Sequence, residues 1–379
     1  MGAQGKGHIA WIDLLRIVAC FLVLISHSCD PFVSRFDSNP AEFLTGVWFG
    51  SLVRSCVPLF VMISGVLLLP VRMDMGAFYS RRAKRIVIPL VFWSLALPLL
   101  YYFYMGSFGA NTVSPAVDMS TFTWKATLTK LYTFLFNFNY DTTPLWYLYM
   151  LIGLYLILPI ISPWVQQASQ RDLKRFLYIW AFTTVLPYIQ MAAPYLGYTG
   201  NYGSMGILGV CEWNAYGMFY YFSGFLGYMV LAYYLTRYPP KWSLAKTLAI
   251  ALPLFVVGYL ITALGFILTQ KYYPASYANL EIIWYFSGAN VLMMTVSIFL
   301  VFQKIKVKPS PFMSKVAALT FGVYLCHFIV IQLGYDLFYT RLPIPTYLMI
   351  PLIATFAFVV SLAVVWLMSL NKWTRKVIM

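Results

Sequence analysis

The sequence predicts an all-α, polytopic integral membrane protein with about ten transmembrane helices, and its composition is the first reason. Of the 379 residues, 61% are hydrophobic and only 10% are charged, whereas a soluble domain carries about 25% charged residues. Because so few polar side chains cannot cover a water-exposed surface, we expect the chain to lie in lipid. Long apolar segments and an uneven distribution of Lys and Arg are the second and third reasons.

Ten segments are long and apolar enough to cross a bilayer, which takes about 20 helical residues. They use nearly the whole chain, so we predict a single transmembrane domain over residues 1–379. The predicted spans lie near residues 9–29, 44–70, 86–105, 145–165, 174–193, 214–235, 246–269, 281–303, 316–338 and 346–370. A further apolar segment, 121–138, contains two lysines and is predicted to be an interfacial or re-entrant helix.

The distribution of Lys and Arg predicts that both termini are cytoplasmic. With that orientation, nineteen of the 26 basic residues fall on the inner side, five fall on the outer side, and Arg16 and Arg54 lie within spans. Such an excess is typical of cytoplasmic loops. The net charge of +15 does not indicate nucleic acid, because the basic residues sit in short loops; they suit anionic membrane lipid or a phosphorylated ligand.

The first span carries a polar stripe within the sequence WIDLLRIVACFLVLISHSCD, residues 11–30. Arg16 and His27 are eleven residues apart, which leaves only about 20° between them and about 16 Å along the helix. Asp13 and Asp30 fall within about 60° of the same face. An Arg or Asp facing lipid costs about 2.5–3.5 kcal/mol, so the stripe is predicted to face the protein interior or a cavity. Alternatively, Asp13 and Arg16 form a structural pair and His27 is an interfacial residue.

A second histidine, His327, is predicted in the middle of the ninth span. A buried neutral imidazole needs only one hydrogen-bond partner, so a structural role is as natural as a functional one. Two histidines are too few for a metal site, although Asp30, close to His27, adds a third possible ligand. The five cysteines predict neither a disulfide framework nor a zinc site, with a Cys29–Cys211 bridge left open.

A cluster of basic residues lies in FYSRRAKRIVIPL, residues 78–90. One interpretation is a membrane anchor at the inner end of the third span. The other is a phosphate site, because Arg81, Arg82 and Arg85 can grip phosphate oxygens with forked hydrogen bonds. A helix N-terminus would add partial positive charge. No Walker-type glycine-rich loop occurs, which argues against a nucleotide hydrolase.

These residues resemble the membrane acyltransferase-3 family. Arg16 and His27 match its Arg-x10-His signature, and Asp13 stands three residues before the arginine as in that family. Val61 replaces the second Phe of the family's FF-x-x-SG segment, whose Ser64-Gly65 is expected to allow close helix packing. This segment lies in VPLFVMISGVLLL (57–69). Three further blocks follow in the same order as in the family: FYSRRAKRIVIPL (78–90), PLWYLYMLIGLYLILPII (144–161) and FGVYLCHFIV (321–330).

The resemblance implies a ten-helix enzyme of the bacterial cytoplasmic (inner) membrane. Such an enzyme takes an acyl group, most often acetyl, from cytoplasmic acyl-CoA and places it on a hydroxyl of a cell-surface carbohydrate or lipid-linked glycan. Acetyl-CoA is then a co-substrate, and no permanently bound cofactor or metal is expected. The partners expected are acyl-CoA, the glycan and membrane lipid.

The resemblance also assigns roles. His27 is expected to act as general base, or to accept the acyl group first; Arg16 is expected to hold a phosphate or polarise the donor. The three arginines of the basic cluster are expected to bind the CoA phosphates. Asp13, Asp30 and His327 are also expected near the substrates. Trp146, Tyr147 and Tyr324 either line the cavity or, as the more common role, belong to the core; Asp141 and Glu212 at the outer span ends are candidate ligands of the acceptor hydroxyls.

Two other functions fit some of these features. A small-molecule or proton-coupled transporter would use the Asp13, Arg16 and His27 stripe as a relay, although no internal repeat supports a transporter fold. A glycan flippase or polymerase would use the aromatic outer loops, but it gives the basic cluster no role.

Overall fold

The computed structural model describes residues 9–107, 112–136, 138–198, 206–211, 214–274 and 277–379, with backbone alone at 107, 277–279 and 281. Over these residues the fold is helical, with no strand, which confirms the predicted class. The α-helices are α1 Ala10–Ser28, α2 Asp30–Val33, α3 Pro40–Leu52, α4 Cys56–Leu68, α5 Met75–Tyr101, α6 Trp124–Tyr132, α7 Trp146–Gln167, α8 Gln170–Thr183, α9 Leu186–Ala192, α10 Leu226–Arg237, α11 Leu244–Tyr272, α12 Tyr277–Trp284, α13 Ala289–Lys304, α14 Pro311–Phe338, α15 Thr346–Leu370 and α16 Lys372–Arg375.

Nine helical segments of the described chain are long and apolar enough to cross a membrane, rather than the ten predicted. The difference is the predicted span 214–235, where the α-helix is only the 12-residue α10. Its length of about 18 Å is less than the roughly 30 Å of hydrocarbon. Gly224 has φ +78°, which interrupts the helix between α10 and a 3-10 helix at Gly217–Phe222.

The chain divides into two compact units. The first comprises residues 1–53, 72–157 and 307–379; here α14 packs against α1, α15 and α5, and α1 also packs against α15 and α3. The second comprises residues 54–71 and 158–306; here α4 packs against α10, and α11 packs against α13.

In the first unit, α1 and α14 run parallel in a constant register. The Cys20 thiol donates to the Thr320 carbonyl at 3.6 Å, and the rings of His27 and His327 lie 5.3 Å apart. In both pairs the residue on α14 lies 300 positions after its partner on α1. The polar stripe of α1 therefore faces α14 along at least two helical turns.

The parallel direction of α1 and α14 bears on the number of membrane crossings. Six of the nine candidate spans lie between these two helices in the chain. If each crosses once, α14 would be the eighth crossing and would run antiparallel to α1. Parallel packing requires an odd number of intervening crossings, so either one of the six does not cross or one more segment does. The 3-10 helix followed by α10 reaches about 30 Å when end to end. The side of the membrane on which the termini lie stays a prediction.

In the second unit, a glycine sets the approach of α4 to α10. A Cβ added to Gly65 would lie 2.6 Å from the Met229 carbonyl oxygen and 2.7 Å from its Cα. Because both are backbone atoms, they cannot move aside cheaply. This close packing is what the Ser64-Gly65 pair predicted.

We expect Gly65→Ala to destabilise the protein by about 1–3 kcal/mol, since overpacking forces the helices apart. Thermal unfolding in detergent measures the effect. Gly153→Ala is the matched control, because a Cβ there meets no atom within 4 Å and alanine is the better helix former. Equal melting temperatures for the two variants would contradict the packing role of Gly65.

Candidate active site

A carboxylate and an imidazole pair at the end of the polar stripe. His27 lies in the last turn of α1, and Asp30 is the first residue of α2, because the chain continues helically past Cys29. His27 Nδ1 is 2.9 Å from Asp30 Oδ2. If the carboxylate is ionised it can only accept, so Nδ1 carries the hydrogen and Nε2 keeps its lone pair. The side chain of His27 is 22% exposed, so the pair presents a base.

His327 on α14 lies beside this pair. It is fully buried, and its Nδ1 is 2.5 Å from the Tyr324 carbonyl oxygen. A carbonyl only accepts, so Nδ1 of His327 is also the donor and its Nε2 is also a lone pair. Within the described residues this Nε2 has no hydrogen-bond partner. The two intramembrane histidines predicted from sequence therefore meet.

Aromatic side chains surround the two imidazoles. The Phe328 ring is 5.2 Å from the ring of His27, and the Tyr140 ring is 5.0 Å from that of Phe328. The Tyr324 ring lies 5.5 Å from the ring of His327. The Tyr324 hydroxyl donates to the Pro144 carbonyl, which fixes the segment before α7 against α14.

The other end of the stripe is basic. Arg16 is partly buried and interacts electrostatically with Asp13, with Arg85 of α5, and with Tyr147 and Tyr155 of α7. Neighbouring guanidiniums repel one another and are therefore suited to an anion.

Two of the three clustered arginines belong to this basic end. Arg82 lies over the rings of Phe78 and Tyr155, at 5.4 and 5.7 Å, and interacts electrostatically with Arg85. Arg81 also interacts electrostatically with Arg82; it is exposed, as is Arg85 one helical turn farther on.

The prediction that these arginines lie at a helix N-terminus is wrong. Helix α5 begins at Met75, capped by the Asp74 side chain, so Arg81 is already nearly two turns inside. The macrodipole acts mainly within the first turn. Any anion held here is therefore held by guanidinium groups rather than by free backbone N–H groups.

Tyrosines join the basic end to the histidines. Tyr147 interacts electrostatically with Arg16, and its ring packs edge-on against Tyr324 at 5.4 Å. Tyr324 in turn contacts His327. Trp146, which was predicted to line the site, is partly exposed beside Tyr147, so Tyr147 makes the link.

Sequence reasoning missed a polar group farther along α14. Gln332 and Asp336 follow Phe328 at successive helical turns. The Asp336 carboxylate accepts hydrogen bonds from the Thr112 hydroxyl at 2.6 Å and the Tyr104 hydroxyl at 3.0 Å. Gln332 donates to Asp336 at 3.0 Å and accepts from the Tyr140 hydroxyl at 3.3 Å. The four-residue spacing of Gln332 and Asp336, which places both on one face of a helix, was the sequence signal that could have indicated this group.

The proposed acceptor ligand Asp141 has a different role. It is fully buried and forms an ion pair with Lys130 at 3.2 Å, and the ammonium also lies 4.4 Å from the centre of the Phe122 ring. Asp141 therefore anchors α6 rather than facing an open site. Glu212 lies outside the described residues.

The described residues contain five free cysteines and no group of three His, Cys, Asp or Glu side chains placed to hold a metal ion. The bridge between Cys29 and Cys211 that the sequence left open is therefore absent: Cys29 donates instead to the Ile25 carbonyl at 3.1 Å.

The helical fold and this intramembrane site define a multi-pass membrane protein that holds a histidine–aspartate pair near one end of the polar stripe and a basic cluster near the other. Over residues 9–370 the chain matches the profile of the acyltransferase-3 family, described as an acyltransferase domain. The chain belongs to this family and is a membrane acyltransferase. No curated protein and no solved structure matches it.

Proposed function

We propose that this acyltransferase transfers an acyl group, acetyl in the simplest case, from cytoplasmic acyl-CoA to a hydroxyl of a cell-surface or lipid-linked carbohydrate. The observation that carries the proposal is the 2.9 Å contact between His27 Nδ1 and Asp30. It leaves Nε2 of His27 as a base with a fixed orientation. An alcohol needs such a base, because it is a poor nucleophile while it keeps its proton.

The chemistry follows from this geometry. Nε2 of His27 removes the proton as the hydroxyl oxygen attacks the thioester carbonyl. Asp30 holds the required tautomer and stabilises the imidazolium. When the carbon–sulfur bond breaks, His27 returns the proton to the departing thiolate. The products are the carbohydrate ester and CoA with a free thiol.

The basic end supplies the donor site. Arg16, Arg82 and Arg85 lie together, and guanidinium groups bind phosphate oxygens through paired charge-assisted hydrogen bonds. The rings of Phe78 and Tyr155 hold Arg82 in place. Because Arg16 and His27 are about 16 Å apart along α1, the extended pantetheine arm of CoA can run between the two ends.

The acceptor site is the polar group beyond the histidines. Amide, carboxylate and hydroxyl groups of Gln332, Asp336 and Tyr140 match sugar hydroxyls as hydrogen-bond partners. The Tyr140 and Phe328 rings offer flat apolar surfaces close to His27. This combination favours a carbohydrate over an apolar alcohol.

The direct test uses protein reconstituted in lipid with radiolabelled acetyl-CoA and a candidate glycan. We expect label to enter the glycan as an ester released by mild alkali, with one equivalent of CoA thiol for each ester. Movement of a solute across proteoliposomes that needs no acyl-CoA, together with no ester formation, would instead establish the transporter alternative.

For the donor site, we expect Arg82→Ala and Arg85→Ala each to raise KM for acetyl-CoA about tenfold, the usual loss for one hydrogen bond to a charged group. Steady-state kinetics at saturating acceptor measure it. Arg81→Ala is the comparison variant and should change KM less than about twofold, since Arg85 rather than Arg81 interacts electrostatically with Arg16.

A donor without the 3′-phosphate sharpens this comparison. An arginine that binds that phosphate should lose its effect on KM when dephospho-CoA derivatives are used. Equal changes in KM for all three arginine variants would mean that the cluster acts only through its net charge, and the donor site would lie elsewhere.

A further inference from the structure

The two histidines form an unusual pair of bases. Their rings lie 5.3 Å apart with an angle of 43° between the planes. Nδ1–H of His27 donates to Asp30, and Nδ1–H of His327 donates to the Tyr324 carbonyl. Both Nε2 atoms therefore carry lone pairs. Two lone pairs cannot hydrogen-bond to each other, and Nε2 of His327 is buried without a hydrogen-bond partner among the described residues.

We propose that His327 is a positioning residue that stabilises His27 once His27 has taken the proton of the acceptor hydroxyl. The new N–H at Nε2 of His27 then donates to the lone pair at Nε2 of His327. A centroid separation of 5.3 Å lets ring nitrogens approach to about 3 Å, which is hydrogen-bond range. This inference rests on the proposed role of His27 as base.

The bond would act on the transition state rather than on the resting enzyme. It exists only after the proton has begun to move, so it lowers the barrier without tightening ground-state binding. Its strength comes from the positive charge on His27 and from the burial of His327, since charge-assisted bonds are stronger away from water. The proton is shared with His327 and then passes from His27 to the thiolate, so no other reactant is needed.

Few other groups can influence the proton on His27. Asp30 contacts it directly, and Tyr140 interacts electrostatically with Asp30. From the helices that pack against α1, α14 supplies His327 and Tyr324, carries Lys315 near its start, and carries Asp336 farther along, which interacts electrostatically with Tyr140. Helix α15 contains no Asp, Glu, Lys, Arg or His. The one acid of α3, Glu42, forms an ion pair with Arg35 at 3.0 Å.

The test compares His327→Phe with His327→Gln. Phenylalanine keeps the ring but has no acceptor, so we expect kcat/KM to fall at least tenfold. The acid limb of the pH profile of kcat/KM for His327→Phe should also move to lower pH by about one unit. The direction follows because a base whose protonated form has lost a stabilising bond releases its proton at lower pH. Glutamine offers an amide oxygen as acceptor and should restore much of both properties.

A lower rate with an unmoved acid limb in His327→Phe would show a packing role only and would overturn the proposal. If instead His27→Ala kept full activity, the proposed base itself would be wrong. The two failures are therefore distinguishable.

A second measurement needs no variant of His327. The chain has only three histidines, so ¹⁵N spectra of histidine-labelled protein can be assigned with single substitutions. We expect both His27 and His327 to be Nδ1–H tautomers above neutral pH, and one shared proton between them on acidification. An Nε2–H tautomer for His327 would remove its acceptor and overturn the inference.

Discussion

Replacing His27 with alanine is expected to lower kcat for acyl transfer by about 10²–10⁴-fold, the usual contribution of a general base. The loss should appear in kcat rather than in KM for acetyl-CoA, because the proposed donor phosphates are held at the other end of the stripe. Single-turnover transfer of labelled acetyl to the glycan, measured beside acetyl-CoA binding, separates the two quantities.

Added imidazole provides the control for this variant. The alanine side chain leaves a space beside Asp30, and the His27 side chain is partly exposed, so free imidazole can enter. We expect it to restore part of the activity in His27→Ala and to leave Gly153→Ala unchanged. Full activity in His27→Ala without added imidazole would exclude the proposed mechanism.

The sequence could predict the parts of the site that lie on one helix. Arg16 and His27 follow from the helical repeat alone, and Asp30 is close enough in sequence to His27 to reach it when the helix continues. In each case the spacing is short and the local geometry is known. The family block pattern also indicated the acyltransferase activity, in agreement with the match to the acyltransferase-3 family over residues 9–370.

The sequence could not predict which helices bring the rest together. His327 meets His27 only because α14 packs parallel to α1 with an offset of 300 residues. Other distant segments pack on α14 as well, which places Tyr147 against Tyr324, and Tyr104 and Thr112 against Asp336. Such contacts depend on side-chain packing between segments that are far apart in the chain. A single sequence does not show which residues of two such segments lie opposite each other.

Hydropathy also misses breaks inside spans. The predicted span 44–70 is two helices, α3 and α4, separated at residues 53–55. Arg54 lies in this break and donates to the Trp284 carbonyl at 2.7 and 3.0 Å. Hydropathy averaged over a window of residues is hardly changed by one arginine among apolar neighbours. The carbonyl and the nearby rings that accommodate this arginine are known only from the folded chain.

Replacing Asp30 with asparagine is expected to cost almost as much as removing His27. An asparagine amide can donate to Nδ1 as well as accept from it, so the imidazole is free to adopt the tautomer that carries its hydrogen on Nε2. That tautomer cannot take a proton from the acceptor, and the imidazolium also loses its counter-charge. Loss of this function from an aspartate-histidine pair lowers kcat by about 10⁴ where it has been measured, and we expect at least about 10² here.

Asp37→Asn is the matched control for this change. Asp37 is exposed and lies seven residues after Asp30, so the same loss of charge there should leave kcat within about twofold of the wild-type value. Asp30→Glu should retain partial activity, because the longer carboxylate still only accepts. A full wild-type kcat in Asp30→Asn would mean that His27 is oriented by another group, and that its contact with Asp30 serves only to join α1 to α2.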